Sequence, residues 1–176
     1  MKIVVLGNQK RYETYMPPFV RDLPVELAWS SPAAPVSQIL AQAPDAQVIL
    51  ADAIAPVGAE LIAGLPQLRL IHSDGVGYNA IDLAAARARG VWVCNCKGCN
   101  ADAVAEVAVM LMLMVTRRAV MGCRAVAEGR QMDYKEAVMA AAVPEFADHS
   151  VGLVGLGDIA RATARRLAPF GNRLYY

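Results

Sequence analysis

Gly155-Leu156-Gly157-Asp158-Ile159-Ala160 follows an apolar run, Ser150 to Gly155, and opens a segment of helical spacing, Asp158 to Ala168. Each position in such a turn has a physical task. The first glycine permits the tight turn, the second lets the backbone approach a pyrophosphate, and the small last residue lets the helix lie close to the strand. Amides at the helix start then face the phosphates with the positive end of the helix dipole behind them. Dinucleotide binding is the chemistry this order of strand, turn and helix suits, with a purely structural turn as the alternative.

A second copy, Gly75-Val76-Gly77-Tyr78-Asn79-Ala80, also follows an apolar run and precedes a helical pattern. Spacing separates the two. A ribose-binding acid is expected about 20 residues on, at the end of the next strand. After the first copy that strand ends in Cys94-Asn95-Cys96, with no acid. After the later copy the equivalent place falls at or just beyond Tyr176, so residues 155–160 are the better nucleotide turn. The 75–80 turn is left to present N–H groups to a small anion such as a carboxylate, or to be an ordinary strand-to-helix turn.

Cys94, Cys96 and Cys99, with Cys123 further on, invite a zinc reading, but the spacing is not a pair of CxxC knuckles, and no metal site is expected. Cys94 falls in an expected strand, where a thiol is commonly a small buried hydrophobe. His72 and His149 are the only histidines. His72 adjoins the glycine turn and either lines a pocket or ends a strand, whereas His149, in a polar connector, reads as solvated. Neither sits in a nucleophile-elbow order. Met110, Met112 and Met114 alternate at i, i+2, so they point to different sides of a helix and read as core filler.

The elements that must position these residues alternate. Continuous apolar runs at Ile3–Leu6, Val25–Trp29, Gln47–Ala51, Leu68–Ser73 and Val91–Cys94 are separated by helical spacing at Val36–Ala43, Val57–Leu65 and Ala80–Arg89. Continuous rather than alternating runs predict a parallel sheet covered on both faces, a doubly wound α/β unit over about residues 1–97. Pro17 and Pro18 interrupt the first connection. Asn100 offers an N-cap to one long helix over 100–123, apolar nearly all round, which needs enclosure by two layers or by another subunit. A second helix is predicted over Arg124–Ala142, closed by Pro144. A strand, a helix and a new strand at Arg173–Tyr176 follow.

Composition excludes several classes. The 176 residues carry 17 basic and 16 acidic side chains, a formal charge of +1, and 56% are hydrophobic. Disorder is excluded, and arginines scattered along a near-neutral chain argue against a nucleic-acid groove or a polybasic membrane patch. Ala103–Val115, the longest apolar stretch, includes Glu106 and falls short of the roughly 20 residues a bilayer requires. No export signal is read at the N-terminus, so a cytoplasm with reduced thiols is the expected setting.

Taken in order, four stretches resemble the D-isomer-specific 2-hydroxyacid dehydrogenases. These are Ile71-His72-Ser73-Asp74-Gly75-Val76-Gly77-Tyr78-Asn79-Ala80-Ile81-Asp82, then Gly90-Val91-Trp92-Val93-Cys94-Asn95, then Ala103-Val104-Ala105-Glu106, and Val151 to Ala160 with Phe170-Gly171. The resemblance implies a flavodoxin-like substrate domain over 1–97, followed from 98 to 176 by the first part of a Rossmann domain. It implies NAD or NADP as cofactor and NAD(P)-dependent interconversion of 2-oxo acids and D-2-hydroxy acids. By motif, the Val76 and Gly77 amides would contact a substrate carboxylate, and Gly155, Gly157, Asp158 and Ile159 the cofactor pyrophosphate. Val104 would lie near the nicotinamide, and residues 100–123 would form a homodimer interface. The family's arginine, glutamate and histidine would all lie downstream of Tyr176. No catalytic residue is therefore expected in this stretch, which reads as truncated and inactive alone. A non-catalytic, corepressor-like assembly protein on the same scaffold is the alternative, and a flavodoxin-like nucleotide binder without redox chemistry a third.

Overall fold

Five short runs of Val, Ile and Leu become five parallel strands: β1 (Lys2–Leu6), β2 (Glu26–Ser30), β3 (Val48–Ala51), β4 (Leu70–Ser73) and β5 (Trp92–Asn95). They form one sheet in the order β2-β1-β3-β4-β5, the flavodoxin-like arrangement, in a computed structural model that describes residues 1–176. Parallel neighbours need crossovers, which α1 (Gln9–Tyr15), α2 (Val36–Gln42), α3 (Ala59–Gly64) and α4 (Leu83–Ala88) supply. Asn8 caps α1 by accepting from the Arg11 amide at 3.1 Å, and a 3-10 turn, Pro18–Asp22, follows the helix. Asp82 caps α4 through the Ala85 amide at 2.9 Å.

Alternation along the strands sends Val4, Leu6, Ile49, Ala51 and Ile71 into a buried cluster with Ile39 of α2, Leu61 and Ile62 of α3, and Ala86 of α4. Register then aligns Trp29, Val5, Leu50, His72 and Cys94 as one row across the other face. This second face differs from the expectation of full cover. Around α1 it encloses an apolar cavity of about 390 Å³ lined by Ile3, Val5, Leu27, Trp29 and Leu50, but toward the β5 edge Trp92 is 78% exposed.

The chain divides into two compact units, Met1–Lys97 and Gly98–Tyr176. In the second, β6 (Ser150–Gly152) and β7 (Arg173–Tyr175) pair in parallel through the crossover α8 (Asp158–Leu167). The predicted helix over 100–123 is instead two, α5 (Ala101–Thr116) and α6 (Ala119–Ala127), because Arg118 takes a left-handed conformation with φ 51°. Its carbonyl accepts from Tyr134 Oη at 2.8 Å and from the Gly122 amide at 3.1 Å, which secures the break. The next expected helix is interrupted likewise. Gly129, at φ 70°, ends the run before α7 (Gln131–Ala140) begins.

α5 packs against α8 through small residues. Ala101 and Ala105 are buried on α5, as are Ala162 and Thr163 on α8. Arg166 of α8 reaches Asp102 Oδ1 and Glu106 Oε1, each at 3.0 Å, and these carboxylates, Glu106 first, hold its guanidinium above the ordinary arginine range. Farther along α5, Met112, Leu113 and Met114 are half-buried, whereas Met110 is 49% and Val115 76% exposed. No helix is long and apolar enough to cross a membrane.

Candidate functional site

In the first unit the 75–77 turn is held from four sides. Ser73, buried at the end of β4, donates from Oγ to the Gly77 carbonyl at 2.6 Å. Asn95 Nδ2 donates to the Val76 carbonyl at 2.7 Å, and the Cys96 amide to the Gly75 carbonyl at 2.9 Å. Asp74 carries the fourth anchor. Its carboxylate accepts from Arg11 Nη2 at 2.8 Å, Tyr12 Oη at 2.5 Å and the Ala53 amide at 3.1 Å. Arg11 also pairs with Asp52 at 2.9 Å.

These contacts engage the carbonyls of the turn, and of its amides only that of Gly75 has a partner, donating to Ser73 Oγ at 3.5 Å. Neither the Val76 nor the Gly77 N–H donates to an acceptor of the chain, and both residues are exposed. Two adjacent amides without a partner in the chain, on exposed residues of an anchored turn, suit an anion with two oxygens. Gly75 is required by packing, since a Cβ there would lie 2.7 Å from the Ala53 Cβ.

In the second unit β6 ends at Gly152, and the Leu153 amide donates to the Tyr175 carbonyl at 2.7 Å before the chain turns. Gly155 adopts φ 86°, a left-handed conformation that favours glycine, and Gly157 caps α8. Space beside both glycines is open, since a Cβ on either would meet nothing within 4 Å. Arg161 Nε closes the loop from beneath by donating to the Leu156 carbonyl at 2.9 Å. Asp158 and Ile159 form the exposed first turn of α8, and Val104 lies in the first turn of α5, 38% exposed.

The remaining sequence candidates are placed differently from expectation. Cys94 is exposed rather than buried, and its thiol lies 2.9 Å from His72 Nδ1. Cys96 Sγ is 3.4 Å from the other nitrogen, Nε2. The two sulfurs approach opposite ends of one ring, so the three groups do not converge on a metal, and no cluster of His, Cys, Asp or Glu is arranged to hold one. His149 is not solvated at its tip, because its Nε2 is buried with no partner. The Arg11, Tyr12, Asp52 and Asp74 cluster had no sequence signal, since its members lie 41 and 63 positions apart in the chain.

Residues 4–166 match the family model described as D-isomer specific 2-hydroxyacid dehydrogenase, catalytic domain. The chain belongs to that family. A glyoxylate reductase of Thermofilum pendens is 38% identical over 120 residues, covering 68% of this chain and 35% of the relative. A D-3-phosphoglycerate dehydrogenase of Mycobacterium bovis is 35% identical over 134 residues, 76% of this chain and 24% of that one. Among solved structures, an NAD-dependent formate dehydrogenase from Staphylococcus aureus in complex with NAD superposes with a TM-score of 0.75 at 28% identity, covering 99% of this chain and 55% of that one. The chain thus spans about a quarter to a third of these two curated relatives and about half of the solved structure. As a family member it contributes two parallel α/β units, each with a glycine turn between a strand and a helix.

Proposed function

We propose that this chain supplies the substrate-binding domain and the pyrophosphate-binding start of the cofactor domain of an NAD(P)-dependent D-2-hydroxyacid dehydrogenase. One observation carries the reading: the turn through Gly155 and Gly157 is open on its outer side and leads directly into α8. The residues fit a dinucleotide pyrophosphate. Gly157, Asp158 and Ile159 would offer backbone N–H groups to its oxygens, Gly155 would give the turn its shape, and Val104 would flank the nicotinamide. When bound, that cofactor supplies or accepts hydride. NAD is favoured over NADP by the NAD held in the Staphylococcus aureus relative.

The substrate is a small 2-oxo or 2-hydroxy acid, its carboxylate received by the Val76 and Gly77 amides. Four anchors hold the turn that carries those amides, so little rearrangement accompanies binding. The proton donor and the cationic substrate clamp are assigned to residues outside this chain. The exposed apolar side of α5, with Val107, Met110, Leu111 and Val115, supports a homodimer through residues 100–123, and the expected compartment is the cytoplasm.

Titration of NADH and NADPH, followed by nicotinamide fluorescence, tests the reading. Saturable binding of NADH is expected, weakened about tenfold or more by Gly157→Val, which places a side chain where the diphosphate would lie. No binding of either nucleotide, or equal binding by the variant, would favour the assembly-protein alternative.

A further inference from the structure

We propose that Cys94 is a thiol nucleophile assisted by His72, a site of S-thiolation by low-molecular-weight disulfides. β4 and β5 pair in parallel with His72 opposite Cys94, which puts both side chains on the same sheet face. The imidazole Nδ1 lies 2.9 Å from Cys94 Sγ, and Nε2 lies 3.4 Å from Cys96 Sγ. With the ring proton on Nε2, turned toward Cys96, Nδ1 is the acceptor for the Cys94 thiol proton. A nucleophile in reach of a base whose far nitrogen is oriented by a third group is the arrangement that activates cysteine.

Access follows from topology. β5 is an edge strand, Cys94 is exposed, and Trp92, two residues earlier on the same face, is 78% exposed. In this chain a reagent therefore reaches the sulfur without strand opening. The site is also close to the 75–77 turn, because Asn95 and Cys96, the next two residues, hold the Val76 and Gly75 carbonyls. The inference uses neither glycine turn and does not depend on the dehydrogenase reading.

The reaction balances with a disulfide R–S–S–R as co-reactant. Cys94 Sγ attacks one sulfur while its proton passes to His72 Nδ1. The S–S bond breaks, and the departing thiolate takes the proton back from the imidazolium. The products are Cys94–S–S–R and R–SH, so the thiol is oxidised and half of the disulfide is reduced.

The chain contains its own control, because Cys123 is exposed on α6 without a histidine beside it. The protein is treated at neutral pH with oxidised glutathione and, separately, with uncharged iodoacetamide, and each cysteine is quantified by peptide mass spectrometry over time. Cys94 should react about tenfold faster than Cys123. His72→Asn should bring Cys94 to the Cys123 rate, with folding checked by circular dichroism. If that variant does not fold, Cys94→Ser and Cys123→Ser decide: the fast phase disappears in the first and persists in the second. Wild-type Cys94 reacting no faster than Cys123, or a fast rate surviving in folded His72→Asn, overturns the proposal.

Discussion

Arg11 Nη2 donates to Asp74 Oδ2 at 2.8 Å, tying α1 to the residue immediately before the 75–77 turn across 63 positions of sequence. The same carboxylate takes Tyr12 Oη and the Ala53 amide. Asp74→Ala removes the acceptor from the half-buried Tyr12 hydroxyl and Ala53 amide and leaves Arg11 only Asp52, so a loss of about 1–3 kcal/mol is expected in urea unfolding. An unchanged midpoint would show that the cluster does not hold the turn.

Tyr12 gives that cluster a pH dependence. Burial first, then the hydrogen bond to Asp74, raises its phenol well above the ordinary tyrosine range. A raised folded-state value means that the protonated form is favoured by folding. That stabilisation is complete below the unfolded value of about 10 and is lost as pH climbs through the folded value. The stability advantage of wild type over Tyr12→Phe should hold constant up to about pH 10 and narrow above it. Chemical denaturation from pH 8 to 11.5 checks this, and a constant gap throughout would contradict it.

Gly75 and Gly77 should respond oppositely to alanine. At Gly75 the new Cβ falls 2.7 Å from the Ala53 Cβ, which has no torsion to move it aside, so the backbone must shift at a cost of about 1–3 kcal/mol. At Gly77 the nearest atom is the Ala53 carbonyl oxygen at 3.9 Å, and Gly77→Ala should stay within about 0.5 kcal/mol of wild type. Paired thermal melts separate the two outcomes.

Arg166 bridges two carboxylates that are themselves 75% and 68% exposed, Asp102 and Glu106. Solvent screening keeps such pairs weak. Arg166→Met is therefore expected to lower the urea midpoint only slightly at low salt, and less in 1 M salt. A larger, salt-independent loss would assign the arginine stem a packing role on α8 instead.

Leu111 is 52% exposed on α5 beside Met110 and Val115. If this face joins two copies, Leu111→Glu buries a carboxylate in the interface and shifts the protein from dimer to monomer in light scattering. A wild-type protein that is already monomeric at high concentration would remove the dimer from the proposal.

The glycine turns were legible because their requirements are local: an apolar run, a glycine whose backbone must bend or be approached, and a helix start. The strands were legible for the same reason. The helix break at Arg118 was not, because a left-handed arginine has no composition signal and is secured by Tyr134 from a later helix. Exposure of Cys94 was equally hidden. A cysteine in a β-rich run reads as buried, and only the position of β5 at the sheet edge reverses that.

The amino-acid sequence by itself determined the alternation of strand and helix, the two glycine turns and the family, since period, turn chemistry and motif order are written within stretches of about ten residues. Tertiary structure alone decided the strand order β2-β1-β3-β4-β5, the Arg11–Asp74 clamp and the meeting of His72 with Cys94. Those depend on which strands pair and in what register. Parallel pairing is set by crossover packing over the whole unit, so residues 22 and 63 positions apart become neighbours only once the sheet has closed around its core.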